Sequence, residues 1–182
     1  MNNPWKKLKS TEVYENPWIK VTNHEVLNAA NKPGIYGTVH FKNIAIGILP
    51  IDKNGYTYIV GQYRFPLEKF SWEIPEGGGK HNVDPLETAK RELLEETGVK
   101  AKEWSELIRI NTSNSVTDEY GIIYLAKDIE VFESNPDEDE DLVVKKLHFD
   151  ELYEMVMRGE IMDSLSVAAV LKYKLMLLES KT

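Results

Sequence analysis

Apolar residues alternate loosely from Trp18 to Val26, gather as aromatic and β-branched residues from Ile35 to Phe41, and run almost unbroken from Ile44 to Ile51. The first two segments read as half-buried strands and the third as a buried one, because period-two and short continuous apolar runs both suit a pleated sheet. Asn54-Gly55 is a type I′ hairpin signal, with Tyr56 to Tyr63 as the returning strand. Phe70 to Ile74 is a short strand closed by Pro75, which has no N–H for a ladder, and a glycine-rich loop at Gly77, Gly78 and Gly79 follows. Asp84-Pro85-Leu86-Glu87 has the form of a helix start, and Gly98 of a helix stop, so a helix is predicted over 85–97. Further strands are predicted at Leu107 to Asn111, Gly121 to Ala126 and Leu142 to Leu147. Two more helices run from Glu151 to Arg158 and from Ser164 to Glu179, the second apolar enough to pack on the core. This order predicts an α/β (α+β) fold with a mixed sheet covered on both faces.

A length of 182 residues suits one ordinary domain with a small extension, and 42% hydrophobic with 29% charged residues excludes wholesale disorder. Twenty-two basic against 30 acidic residues leave a charge of −8, the wrong sign for a broad nucleic-acid surface. An acidic chain can still act on a small phosphorylated substrate when metal cations screen its carboxylates. No cysteine is present, which excludes disulfides, thiolate metal sites and cysteine nucleophiles. With no secretion-type apolar stretch at the N-terminus and no long apolar window, a cytoplasmic location without membrane association is expected.

Within the predicted helix, Glu92, Glu95 and Glu96 are three and four residues apart, which places them on one face within a turn. Leu86, Ala89 and Leu93 form the opposing apolar stripe. On spacing alone this is an ordinary solvated acidic face. The strand, proline and glycine loop just ahead of it can bring backbone groups toward the carboxylates, and such hard oxygen donors suit Mg²⁺ or Mn²⁺.

Gly77, followed after thirteen residues by Arg91-Glu92-Leu93-Leu94-Glu95-Glu96-Thr97-Gly98-Val99, resembles the Nudix box, Gly-x5-Glu-x7-Arg-Glu-U-x-Glu-Glu-x-Gly-U with U aliphatic. The first glutamate of that pattern is Val83 here. Gln62-Tyr63-Arg64 and Trp72-Glu73-Ile74-Pro75-Glu76-Gly77 resemble the ADP-ribose pyrophosphatase branch, which commonly shows Gln-Tyr-Arg and Glu-Leu-Pro-Ala-Gly at these places. The resemblance implies a Nudix-type α/β/α sandwich preceded by a small antiparallel β segment, with residues 1–43 as a dimerising N-terminal segment and 44–182 as the hydrolase domain. It implies Glu92, Glu95, Glu96 and the backbone carbonyl of Glu76 as metal ligands, with Arg91 orienting a helix carboxylate and Glu87 partly replacing the missing glutamate.

A base for the attacking water is implied on the loop after the last strands, which maps to 133–141. Glu140 and Glu138 are the candidates there. Arg64 is a phosphate clamp candidate and Glu73 a nucleoside contact, each with an ion pair as its plain alternative. Glu119 lies in a segment that faces the site in the family. Trp5, Trp18 and Trp72 offer flat faces for a base, with core packing as the expected role of each, and Trp5 is the foremost exception because an exposed terminal tryptophan has no core to fill. The implied activity is Mg²⁺-dependent cleavage of ADP-ribose to AMP and ribose 5-phosphate in a homodimer. The alternatives are another nucleotide sugar, such as ADP-glucose or GDP-mannose, or a Nudix module that senses a nucleotide without cleaving it. A Walker loop, a dinucleotide-binding glycine motif and an EF-hand are excluded by their missing residues.

Overall fold

The computed structural model describes residues 2–132 and 141–180. β1 (Lys6–Glu15), β2 (Ile19–Leu27) and β3 (Pro33–Phe41) form an antiparallel three-stranded sheet in that order. β2 and β3 lie where the apolar alternation places them. β1 is additional: its ten residues are all exposed, so no burial pattern marks it, and it exists through its ladder with β2.

β4 (Asn43–Pro50) runs antiparallel to β7 (Glu76–Lys80) and parallel to β9 (Tyr120–Val131), which pairs with β8 (Val99–Asn111) in a sheet ordered β7-β4-β9-β8. β5 (Tyr56–Arg64) leaves β4 altogether and lies between β10 (Val143–His148) and β6 (Lys69–Glu73) in another sheet. Asn54-Gly55 therefore joins two sheets instead of closing a hairpin. Nor is the turn type I′, because Gly55 has a φ of 82° while Asn54 keeps a negative one. Asp52 decides this: its Oδ1 accepts from the N–H groups of Asn54 at 2.8 Å and Tyr56 at 2.9 Å, folding the turn around a side chain.

α1 (Pro85–Thr97) packs on one face of the β4 sheet and α3 (Ser164–Glu179) on the other, with α2 (Phe149–Met157) against α3 and β10. Ile46, Ile48, Ala89, Leu93, Val99 and Ile122 fill the layer under α1. Leu49, Ile59, Ile74, Ile123, Leu152, Leu165 and Val170 fill the other. Both apolar layers withdraw surface at about 25 cal/mol per Å², so they fix where α1 and α3 sit against the strand ends. α1 and α3 have the predicted bounds. α2 starts at Phe149, two residues early, because Phe149 is buried and His148 caps the helix through Nδ1 from the Asp150 N–H at 3.3 Å.

The expected glycine loop is β7, a strand. A Cβ at Gly79 would lie 3.2 Å from Ile46 Cγ1 and 3.4 Å from Thr88 Oγ1, so glycine lets the strand lie this close beneath α1 without displacing either side chain. Among the described residues no helix is long and apolar enough to cross a membrane.

Candidate active site

α1 is capped at both ends. Asp84 accepts from the Leu86 N–H at 3.0 Å, Pro85 occupies the first helical position, and Gly98 closes the helix at φ 68° with its N–H on Leu94 O at 2.9 Å. The N-cap stabilises by about 1 kcal/mol. At Val83, which stands where the pattern has its first glutamate, the N–H bonds Lys80 O at 3.0 Å, and Glu87 pairs with Lys90 at 2.7 Å.

Glu92 and Glu96 leave α1 toward β7, while Glu95 pairs with Arg91 along the helix. Glu96 is 3% exposed and its Oε2 accepts the Glu76 N–H at 3.0 Å. Arg91 reaches along the helix to both Glu92 and Glu95. Partial burial opposes the Arg91 charge, but these two carboxylates outweigh it and raise its pKa further. Among the described residues no three acidic or histidine side chains stand together as a formed metal centre. The donor chemistry nonetheless fits a hard divalent cation, since three carboxylates of one helical stretch lie beside a strand end, Glu92 close over Gly77 and Glu96 on the Glu76 N–H. A Cβ at Gly77 would fall 2.2 Å from Glu92 Cδ. Gly77→Ala is accordingly expected to fold, because the displaced group is the end of a flexible side chain, yet to swing Glu92 aside and weaken Mn²⁺ binding about 10- to 100-fold by calorimetry.

Beside this face lies a cleft of about 480 Å³ lined by Trp18, Phe41, Arg64, Glu76, Gly77, Glu119 and Asp163, among others. Arg64, at the end of β5, lines it but is already engaged. Its Nε donates to both oxygens of Glu73 at 3.0 Å, and its Nη2 to Glu73 and to Glu76 Oε1, the latter at 2.7 Å. Glu73 is 3% exposed and serves as this partner. Burial works against the Arg64 charge, but the carboxylates of Glu73 and Glu76 prevail and raise its pKa. Glu76 stands where the resembling motif has alanine. Burial, helped by Asp163 and Glu73 and only partly offset by Arg64, pushes its carboxyl well above the ordinary 4.5.

Glu119 reaches the cleft with its Oε2 accepting from Thr112 Oγ1 at 2.6 Å. The segment that carries it is tied to the N-terminal sheet. The Val39 N–H bonds Val116 O at 2.9 Å, His40 Nδ1 meets Asp118 Oδ2 at 2.6 Å, and the Phe41 N–H bonds Asp118 Oδ1 at 3.0 Å. Burial raises Asp118, but His40 and the Phe41 N–H win and hold it below its ordinary 3.8. A depressed carboxylate stabilises fully above its unfolded value, and that contribution disappears as pH falls through the lower folded one. Asp118→Ala is expected to raise the amide exchange rate at Val39 and Phe41 at neutral pH, a difference that fades as pH falls below the ordinary 3.8 and through the lower folded value.

Trp5 stands apart from the cleft of its own chain, edge-on to Tyr36 with ring centroids 5.4 Å apart and beside His24 and Val26. Trp18, 64% exposed, lines the cleft instead, against the expectation that it packs in the core. Trp72 packs edge-on against Phe70. Glu138 and Glu140 lie outside the described residues. Asp163, which sequence reasoning did not single out, caps α3 through the Ser166 N–H at 2.7 Å and lines the cleft from the far side. An acidic residue just ahead of Ser164 was a readable cap signal, but nothing local pointed it toward Glu76.

A carboxylate-bearing helix laid on a glycine strand at the edge of a mixed sheet, with a half-open cleft beside it, defines a hydrolase of the Nudix architecture. The chain belongs to the NUDIX domain family, whose pattern it matches over residues 41–163, and it is an enzyme acting on diphosphate bonds. Residues 5–39 match the nucleoside diphosphate sugar hydrolase N-terminal domain. It is 38% identical over 128 residues to the methanol dehydrogenase activator of Bacillus methanolicus and 33% identical over 128 residues to an ADP-ribose pyrophosphatase of Bacillus subtilis, covering 69% of each chain in both cases. An ADP-ribose pyrophosphatase of Mycobacterium tuberculosis is 35% identical over 131 residues, 70% of this chain and 63% of that one. The fold is shared with a crystal structure of an ADP compounds hydrolase at a TM-score of 0.85 and 18% identity, over 97% of this chain and 95% of that one.

Proposed function

We propose that this chain hydrolyses the diphosphate of a nucleoside diphosphate sugar, ADP-ribose foremost, releasing AMP and ribose 5-phosphate. The observation that carries the reading is the helix face of Glu92, Glu95 and Glu96, with Glu92 close over Gly77, beside a cleft of about 480 Å³. The relatives named as ADP-ribose pyrophosphatases and the match of the N-terminal residues to a nucleoside diphosphate sugar hydrolase domain support it.

Glu92, Glu95, Glu96 and the backbone carbonyl of Glu76 would hold a divalent cation, Mg²⁺ or Mn²⁺. Such an ion lowers the pKa of water and neutralises charge on phosphoryl oxygens. Arg91 keeps Glu92 and Glu95 oriented, and the Glu76 N–H fixes the rotamer of Glu96. Trp18 and Phe41 offer apolar surface to the base, with Glu119 as a polar contact. Glu140, or failing it Glu138, is assigned as the proton acceptor. Incubation with ADP-ribose, ADP-glucose and GDP-mannose in Mg²⁺ or Mn²⁺, followed by phosphatase and phosphate measurement, tests the reading. Release is expected with ADP-ribose above the others, and silence on all three overturns it.

Residues 1–43 are proposed as a homodimerising segment in a cytoplasmic enzyme. Its support is a sheet that leaves Leu8, Val13 and Ile35 exposed, apolar side chains that a partner surface would cover. A dimer would also bring Trp5 within reach of a partner's cleft. Light scattering on the full chain is expected to give twice the 20.9 kDa monomer mass.

A further inference from the structure

The side chain of Glu76 has no part in the cation face. Along β7 the Cβ directions at Gly77 and Gly79 point toward α1, at Glu92 and at Thr88 with Ile46. Alternation in a strand therefore turns Glu76 the other way, into the cleft. There it sits at the junction of two cavities, the cleft of about 480 Å³ and an adjoining one of about 400 Å³ bounded by Leu67, Phe70 and Met162. Arg64 holds Oε1 at 2.7 Å, while Oε2 is buried with no hydrogen-bond partner among the described residues. An unmade hydrogen bond of this kind costs about 1–3 kcal/mol, so its retention calls for a use outside the resting fold.

We propose that Glu76 is a specificity-determining residue whose carboxyl, fixed by Arg64, hydrogen-bonds a hydroxyl of the sugar in a nucleoside diphosphate sugar. The inference rests on the proposed function and adds to it the residue that recognises the sugar. Phosphate oxygens are poor occupants, being anionic acceptors near Glu73, Glu76 and Asp163 with one guanidinium already engaged. A hydroxyl both donates and accepts, so it satisfies a carboxyl whichever way that group is ionised. The Glu76 side chain keeps 15% of its surface exposed, and a partial turn about its broad terminal torsion carries Oε2 from its buried position toward the cleft.

The hydroxyl can belong to the nucleoside ribose or to the terminal sugar, and substrate deletion distinguishes them. Steady-state kinetics on wild type, Glu76→Ala and Glu76→Gln are measured with ADP-ribose and with its analogues lacking one hydroxyl on either sugar. Glu76→Ala is expected to raise KM for ADP-ribose roughly 10- to 100-fold with kcat within about threefold, and Glu76→Gln to recover most of that loss. Wild type should lose the same factor on one deoxy analogue, to which Glu76→Ala is indifferent, and that analogue names the sugar. Thermal melting of Glu76→Ala at or above wild type shows that the fold is intact. KM for Glu76→Ala within about twofold of wild type overturns the assignment, as does a fall in kcat accompanied by loss of Mn²⁺ affinity. A wild type that cleaves no nucleotide sugar overturns the proposed function itself, a result separable from the first two because it appears before any substitution is made.

Discussion

Glu96→Gln is expected to lower turnover on the order of a thousandfold while the protein stays folded, which single-turnover kinetics and a melting curve would show together. Glu96 combines two roles that this substitution separates. Its Oε2 accepts the Glu76 N–H at 3.0 Å inside a nearly closed space, so a residue without an acceptor there would leave a backbone donor buried and unpaired. Glutamine keeps the shape and an acceptor oxygen, and so keeps that bond. It removes the charge, which is what a divalent cation between the helix and β7 requires. A protein that only senses a nucleotide would bind ADP-ribose equally well in both forms and show no turnover to lose. Activity of Glu96→Gln within tenfold of wild type would mean that the chemistry lies elsewhere.

The second large effect is on stability. Arg64→Ala should cost roughly 3 kcal/mol, the low end for breaking a buried ion pair because the Arg64 side chain is 34% exposed. At about 2–4 °C per kcal/mol for a chain of this size, melting should fall by some ~6–12 °C. Arg64 is the guanidinium bonded to both Glu73, 4% exposed in its side chain, and Glu76. Its removal leaves two carboxylates facing each other and Asp163 without a cation. Arg64→Lys should recover only part, since an ammonium cannot meet Glu73 through two N–H groups and Glu76 through a third donor in one plane. The combined Arg64→Ala, Glu73→Gln protein should melt above Arg64→Ala alone, because the stranded charge is gone. Unchanged melting in Arg64→Ala would mean that the ion pair contributes nothing to the fold.

Of the two roles foreseen for Arg64, the ion pair is the one formed within the fold, and the pairing of β5 with β6 forms it. That pairing sets Gly61 opposite Trp72 and Arg64 opposite Lys69, which brings the guanidinium onto the same side as Glu73. The helix of box glutamates was legible because its evidence is local: a cap, a proline, a three-and-four spacing and a terminal glycine all fall within a short window. β7 was not legible, since glycine has poor strand propensity and the strand exists through its ladder with the distant β4. β1 escaped for the opposite reason, having strand-forming residues but no buried face to pattern them. Trp18 was read as core because large aromatics usually are, and the register of β2 with β3 leaves it at a sheet end over the cleft instead.

Short-range order thus came from the chain itself: the caps of α1, the acidic face, the apolar runs of β4 and β9, and the absence of thiol chemistry are all written in neighbouring residues. Tertiary structure decided which distant groups meet. Trp18, Arg64, Glu76, Glu119 and Asp163 come from five separate stretches and share one cleft only because β4 lies between β7 and β9. The physical reason is range. Hydrogen bonds, caps and side-chain periodicity act within a turn or a strand, whereas the burial that assembles sheets rewards any apolar surface and names no partner until the whole core is packed.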